Sequence, residues 1–174
     1  LARWVNRMLN NRQLQELALP VGVLATDLGN GEGVLFRRGD SGQAVRASSA
    51  VPAVFQPVRI ANREYVDGGL VSPVPVRYAR EMGADVIVAV DISTAPEGQP
   101  TNDPFSLLLQ TFSIMGKSIN QFELREADVV LRPALAGVGS ADFTARQKAI
   151  QAGRQAALAQ LGAIRERLKV AAAP

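Results

Sequence analysis

The chain has 174 residues, 47% of them hydrophobic and 20% charged, and its formal net charge is +3. This length suffices for one domain that buries roughly 70% of its unfolded surface. The chain contains no Cys and no His, which excludes disulfides, thiolate or His-based metal sites and a Ser-His-Asp triad. We expect no metal and no cofactor. The absence of basic runs argues against nucleic-acid binding, and no apolar stretch reaches the roughly 18 residues of a membrane span.

The first third of the chain predicts a helix, a β-hairpin and a second helix. Residues 1–17 place apolar side chains on one helical face. The apolar run at residues 21–26 is typical of a strand buried on both faces. Asp27 then caps a glycine-containing turn that leads into a second strand at residues 34–36. Residues 41–49 predict a short helix with a Ser or Asp at its start.

The stretch at residues 47–70 contains the strongest candidate for chemistry. Two short apolar runs flank a polar turn and predict a small hairpin. The second run brings Asp67 to the end of its strand, directly before Gly68 and Gly69. Glycine permits a positive φ and lets another backbone or a substrate come close. A carboxylate at a strand end beside bare backbone suits proton transfer, and the same residues also suit an ordinary turn.

The next elements predict a βαβ unit. Ser72 caps a helix that ends at Gly83, and residues 85–91 form the following strand. Strand, helix and strand with short links favour a right-handed crossover between parallel strands. A loop at residues 94–102 leaves the second strand, and in an open α/β sheet such a loop borders the ligand-binding edge.

Two long helices are predicted in the remainder of the chain. The first, at residues 104–127, carries a heptad-like apolar seam that either packs on the sheet or meets another subunit or a lipid surface. A strand at residues 128–132 follows, and a closing helix at residues 143–169 is expected to turn its apolar face inward. The seam consists of Phe105, Leu108, Phe112, Met115, Ile119 and Phe122, and the inward-facing residues of the closing helix are Ile150, Ala157, Leu161, Ile164 and Leu168.

Five motifs in order resemble the patatin-like phospholipase family, and most closely its bacterial branch related to the neuropathy target esterase. Each motif alone is weak, but together they extend from about Leu17 to the last helix. The motifs are Val23-Leu24-Ala25-Thr26-Asp27-Leu28, Arg38-Gly39-Asp40, the stretch from Ala47 to Pro57 with Val66-Asp67-Gly68-Gly69-Leu70, Pro73-Val74-Pro75-Val76, and residues 83–91.

The resemblance implies an α/β fold with an open, mostly parallel sheet and helices on both faces, as in a three-layer α/β/α domain. Residues 1–170 are then the C-terminal portion of a single hydrolase domain, incomplete because its N-terminal part is missing, and residues 171–174 are a tail or the start of a linker. The chain begins with Leu and no signal peptide precedes it, which agrees with this expectation.

The resemblance also implies a serine acyl hydrolase of the phospholipase A or lysophospholipase type, in which Asp67 is the base of a Ser–Asp dyad. Gly68, Gly69, Phe55 and Pro52 are the expected substrate-binding residues. The family's Gly-x-Ser-x-Gly elbow is absent from this chain. We therefore expect the serine and the oxyanion loop to lie on an upstream segment, and this chain alone to be inactive.

The expected partners are a lipid or lysophospholipid substrate, the upstream segment, a membrane surface and a second copy in a homo-oligomer, but no nucleic acid. The cellular location stays open between the bacterial cytoplasm and export. A second interpretation is a catalytically silent α/β scaffold that binds a protein partner or dimerises, since an exposed strand edge invites pairing.

Overall fold

The structure is a computed structural model that describes residues 1–93, 103–138 and 143–172. The chain divides into two compact units, residues 1–75 and residues 76–174. The loop predicted at residues 94–102 lies outside the described residues. None of the helices described within these ranges is long and apolar enough to cross a bilayer.

The first unit is built on a four-stranded sheet in the order β2-β1-β4-β3, and every neighbouring pair is antiparallel. Short turns join β1 to β2 and β3 to β4. In the second of these turns Ala61 and Asn62 both have positive φ, the backbone conformation that two-residue hairpin turns require. The strands are β1 (Val23–Asp27), β2 (Gly33–Phe36), β3 (Val58–Ile60) and β4 (Arg63–Asp67), and the helices are α1 (Ala2–Met8) and α2 (Ser41–Ser48), with 3₁₀ turns at Leu14–Glu16 and Gly68–Leu70.

Small residues bring α2 close to this sheet. The helix begins after Asp40, whose carboxylate accepts the Gln43 N–H at 2.6 Å and so satisfies a free donor of the first turn. The alanines that follow pack with the inward side chains of the strands, and Tyr65 meets Phe36 edge-to-face at 5.0 Å. The buried core cluster consists of Ala25, Ala47, Ala50, Val58 and Tyr65.

The described residues of the second unit form four helices and a two-stranded parallel sheet. Val88 of β5 is paired with Val129 of β6, and α4 lies between the two strands in the chain. The elements are α3 (Val76–Glu81), β5 (Val88–Val90), α4 (Pro104–Glu123), β6 (Val129–Leu131), α5 (Arg146–Ala159) and α6 (Leu161–Ala171), with 3₁₀ turns at Leu124–Glu126 and Phe143–Ala145.

The α/β class is confirmed, but the prediction of a mostly parallel sheet is wrong for the described residues. The larger sheet is antiparallel, and only β5 and β6 are parallel. The expected βαβ unit of β4, α3 and β5 does not form within one sheet. The physical reason is that β4 is hydrogen-bonded to β1 on one edge and to β3 on the other, which leaves no edge for β5.

Of the two arrangements predicted for the seam of α4, packing on the sheet is not observed among the described residues, and the closing helix differs from its prediction. The buried residues of α4 are Asn120 and Glu123 rather than the apolar seam, whose Phe122 is 64% exposed. Glu123 forms an ion pair with Arg77 of α3 at 3.3 Å, so a polar contact holds this helix pair together. The closing helix is divided at Gln160 into α5 and α6. Three of its supposed inward residues, Ile150, Leu161 and Leu168, are exposed.

Candidate active site

Asp67 is the last residue of β4, and its backbone is fixed from two directions. Its N–H donates to the Ala50 carbonyl at 3.0 Å, and its carbonyl accepts the Thr26 hydroxyl at 2.8 Å. In the β1–β4 pairing Asp67 lies opposite Ala25, a fully buried core residue. The end of α2 and the central strand β1 therefore both determine where this carboxylate is placed.

The two carboxylate oxygens of Asp67 have different surroundings. Oδ1 accepts the Gly69 N–H at 2.7 Å and thereby caps the 3₁₀ turn Gly68–Leu70. Among the residues that the structure describes, none donates a hydrogen bond to Oδ2 and none forms an ion pair with Asp67. One oxygen thus orients the side chain while the other is available to accept a proton.

Burial raises the pKa of Asp67 above the ordinary value of an aspartate, and the hydrogen bond from Gly69 opposes this rise. The side chain is only partly buried, so a reacting group can still reach it. A carboxylate with a raised pKa holds a proton more strongly and is a better general base near neutral pH.

The two glycines after Asp67 are required by close approach rather than by backbone conformation. A Cβ on Gly68 would lie 2.4 Å from the carbonyl oxygen of Leu24, and one on Gly69 would lie 3.0 Å from Oδ1 of Asp67. Neither glycine has a positive φ, so the predicted conformational reason does not apply here, whereas the predicted approach of another backbone does occur. Gly68 therefore packs against the backbone of Leu24, and Gly69 packs against the Asp67 carboxylate itself.

Pro52 and Phe55 belong to the turn that follows Ala50, the residue hydrogen-bonded to Asp67. The N–H groups of Val54 and Phe55 both donate to the Val51 carbonyl, at 3.1 and 2.9 Å, which closes the turn tightly. Phe55 is 60% exposed and Pro52 is half-buried. The structure thus connects this turn to Asp67 through the backbone of Ala50, and it exposes apolar side chains there rather than packing them in the core.

A second buried carboxylate, Asp27, lies towards the other end of β4 and has a structural role. Its side chain is 4% exposed, and it accepts the Gly29 N–H at 2.8 Å and pairs with Arg63 at 2.6 Å. The capping role predicted for Asp27 is therefore present. The contact with Arg63 was not predicted, because it joins two turns that are distant in the sequence.

An open groove of about 450 Å³ lies beside this ion pair, between the turn after β1 and the turn between β3 and β4. It is lined by Asp27, Leu28, Gly29, Asn30, Arg59, Asn62, Arg63 and Glu64. Arg63 is engaged by Asp27, and Arg59 lies 3.6 Å from Glu64, so the charged side chains of the groove already have partners. In the described parts of the chain, no cluster of three or more acidic residues could hold a metal ion.

A sequence model of the patatin-like phospholipase family matches residues 1–80, which include Asp67, both glycines and the turn with Pro52 and Phe55. This match to the patatin-like phospholipase family extends over 80 of the 174 residues of the chain. The resemblance inferred from the motifs is therefore confirmed, and the whole candidate site lies inside the matched range.

The relatives of the chain include proteins of the NTE family. An uncharacterized NTE family protein of Mycobacterium bovis is 36% identical over 90 residues, which are 52% of this chain and 25% of that protein. A second uncharacterized NTE family protein, of Mycobacterium tuberculosis, is 26% identical over 189 residues, covering 92% of this chain and 32% of its own length. The mouse patatin-like phospholipase domain-containing protein 7 is 28% identical over 100 residues, or 56% of this chain and 7% of that protein. The chain thus spans a quarter to a third of the length of these mycobacterial relatives.

Proposed function

We propose that this chain supplies the general base of a serine acyl hydrolase and that Asp67 is this base. The proposal is based on the difference between the two oxygens of its carboxylate. Oδ1 accepts the Gly69 N–H, whereas Oδ2 has no partner among the described residues. The match of residues 1–80 to a phospholipase family supports lipid ester hydrolysis as the general reaction. The raised pKa and the lack of an ion pair with any described residue both suit a base rather than a structural carboxylate.

In the proposed mechanism a serine hydroxyl donates its hydrogen bond to Oδ2 of Asp67. The proton passes to Oδ2 as the serine oxygen attacks the ester carbonyl, and it then passes to the departing alcohol when the tetrahedral intermediate collapses. Water then attacks the acyl-enzyme in the same way. Oδ2 takes the proton of the water and returns it to the serine oxygen as the fatty acid is released. A positioned general base of this kind contributes roughly 10²–10⁴ in rate.

We further propose that the serine and its oxyanion-stabilising loop are carried by a segment upstream of residue 1, since the chain contains no Gly-x-Ser-x-Gly. The oxyanion donors would contribute at least as much as the base. In this proposal residues 1–170 are part of one hydrolase domain, which upstream elements complete to a three-layer α/β/α architecture.

The substrate we propose is a phospholipid or lysophospholipid ester. The side chain of Asp67 is only partly buried, and the turn after Ala50 exposes Val54 and Phe55, which suit contact with an acyl chain. This turn is connected to Asp67 through the hydrogen bond from the Asp67 N–H to the Ala50 carbonyl.

The test compares Asp67→Asn with Asp85→Asn in the protein that includes the upstream segment. Both substitutions remove one carboxylate, but Asp85 is exposed in the second unit. We expect kcat/KM for a lysophospholipid to fall by about 10²–10⁴ in Asp67→Asn and to be unchanged in Asp85→Asn. Nearly full activity of Asp67→Asn would refute the assignment. Hydrolysis of a short-chain nitrophenyl ester by the 174-residue chain alone would refute the need for an upstream serine.

One observation favours the alternative of a silent scaffold that dimerises. The seam of α4 exposes Met115 and Phe122, whereas the residues that α4 buries are polar. If this seam is a homodimer interface, replacing both residues by Gln converts the dimer to a monomer in sedimentation velocity. An upstream sequence without Gly-x-Ser-x-Gly would favour this alternative over the hydrolase.

A further inference from the structure

The last two helices carry an unusual combination of charge and exposed apolar surface. Residues 146–171 contain six of the 19 Lys and Arg residues of the chain but only one of its 16 Asp and Glu residues. The chain as a whole has a net charge of only +3, so its positive charge is concentrated in α5 and α6. Asymmetry of this kind points to an anionic partner.

Helix α6 shows how the charges and the apolar side chains are arranged. None of its 11 residues is buried, and only Ile164 is partly covered. Leu161, Ile164 and Leu168 follow the i, i+3, i+7 spacing that forms one stripe along a helix. Arg165 and Lys169 follow Leu161 by four and eight residues and therefore border this stripe on one side.

The side of the stripe opposite Arg165 and Lys169, together with helix α5, shows which surface of the two helices faces outward. Arg167 helps to lower the pKa of Asp128, which precedes β6, so this side of α6 faces the rest of its unit. In α5 the buried residue is Ala152, whereas Ile150 and Leu158 are both 59% exposed, with the exposed Arg154 midway between them. The outward surface of both helices is thus apolar and basic together.

We propose that α5 and α6 bind the surface of an anionic membrane, with the leucine and isoleucine side chains inserted at the headgroup boundary. A helix with a leucine-rich stripe and basic borders lies in the plane of such an interface, and its basic residues contact the headgroups. This proposal concerns a surface outside the candidate active site and does not depend on the hydrolase assignment.

Two other partners fit the same surface less well. A nucleic acid would use the positive charge but would leave the exposed leucines without a contact, and residues 146–171 contain no aromatic side chain for stacking on bases. A second copy of the helices would bring six basic residues against another six, with one acidic residue on each side. An anionic lipid surface satisfies both the charge and the apolar stripe.

The experiment measures co-sedimentation of the protein with phosphatidylcholine vesicles, with and without phosphatidylglycerol. We expect binding to require phosphatidylglycerol and to weaken in about 1 M salt, where charges are screened within about 3 Å. Arg165→Gln combined with Lys169→Gln should weaken binding roughly thirtyfold, since each basic residue near an anionic surface contributes about fivefold. The control with the same change of charge is Arg37→Gln combined with Arg38→Gln, at exposed positions of the first unit.

The apolar contribution is tested with Leu161→Gln combined with Leu168→Gln, which should weaken binding at least about tenfold. The matched control is Met8→Gln combined with Leu19→Gln, since both residues are exposed on the first unit. Because all positions are exposed, far-UV circular dichroism should be unchanged in every variant.

Several outcomes would overturn the proposal. These are equal binding to pure phosphatidylcholine, equal losses in the variants and their controls, dissociation of a dimer by the Leu variant, or tighter binding to RNA than to vesicles. Hydrolysis of a soluble nitrophenyl ester by the protein with its upstream segment should be unaffected by all four variants. Loss of vesicle binding therefore remains distinguishable from failure of the hydrolase assignment.

Discussion

Replacing Gly68 by Ala tests whether close packing of backbone against backbone holds the candidate base in place. The new Cβ would lie 2.4 Å from the carbonyl oxygen and 2.8 Å from the carbonyl carbon of Leu24. Leu24 cannot retreat freely, because β1 is paired with β2 on one side and β4 on the other. The 3₁₀ turn would have to move instead and would strain the bond from the Gly69 N–H to Asp67. Overpacking of this kind costs about 1–3 kcal/mol of unfolding free energy.

The assay is equilibrium unfolding in urea, followed by the fluorescence of Trp4, the one tryptophan of the chain, whose helix packs in the same unit as Gly68. Gly153→Ala is the control, because nothing lies within 4 Å of its Cβ position in α5. By circular dichroism we expect this control to be more stable by about 0.5–1 kcal/mol, as for Gly to Ala in a helix. If Gly68→Ala is as stable as the parent, the close approach to Leu24 does not constrain the site.

Two further predictions concern the carboxylates of the first unit. Because burial raises the pKa of Asp67 in the folded state, ionising its carboxyl group lowers the free energy of unfolding. This loss is complete above the folded-state pKa, and it is absent below the unfolded-state pKa near 3.9. Asp67→Asn should therefore be more stable than the parent at neutral pH, by a margin that disappears as the pH falls to about 4. A margin independent of pH in urea titrations would contradict this. Arg63→Gln should lower the free energy of unfolding by about 1–3 kcal/mol, because the Asp27 carboxylate stays buried with one hydrogen bond from Gly29. Arg59→Gln, whose ion pair with Glu64 is exposed, should change this free energy by less than about 0.5 kcal/mol. Equal losses in the two variants would show that the buried contact with Asp27 stabilises the fold no more than the exposed ion pair does.

The parts of the fold that the sequence predicted well are those with a local cause. Asp40 starts α2 with its own side chain, and the conformations of Ala61 and Asn62 close the hairpin of β3 and β4. The pairing of β4 with β1 depends instead on residues far apart in the sequence, and an apolar run looks the same in a parallel and an antiparallel sheet. Ile150 shows the same limit for helices, since periodicity identifies an apolar face but not what covers it.

The candidate site divides in the same way. Family resemblance indicated Asp67, and the neighbouring glycines are visible in the sequence. Its contacts with Ala50 and Thr26 are not, because they join three segments that meet only when α2, β1 and β4 pack together. The sequence predicts the approach of another backbone to these glycines, but it does not show that this backbone is Leu24 at Gly68.

This arrangement makes the position of the base a property of the core. Asp67 lies between the strand that carries Ala25 and the residue Ala50 that follows α2, and both alanines are buried with Tyr65 in one cluster. A shift of α2 away from the sheet would move the Ala50 carbonyl, and with it the N–H of Asp67, although no residue of the site had changed. Small side chains at these core positions let the helix lie close enough for that hydrogen bond. The same alanines that pack the first unit therefore also set the geometry on which proton transfer would depend.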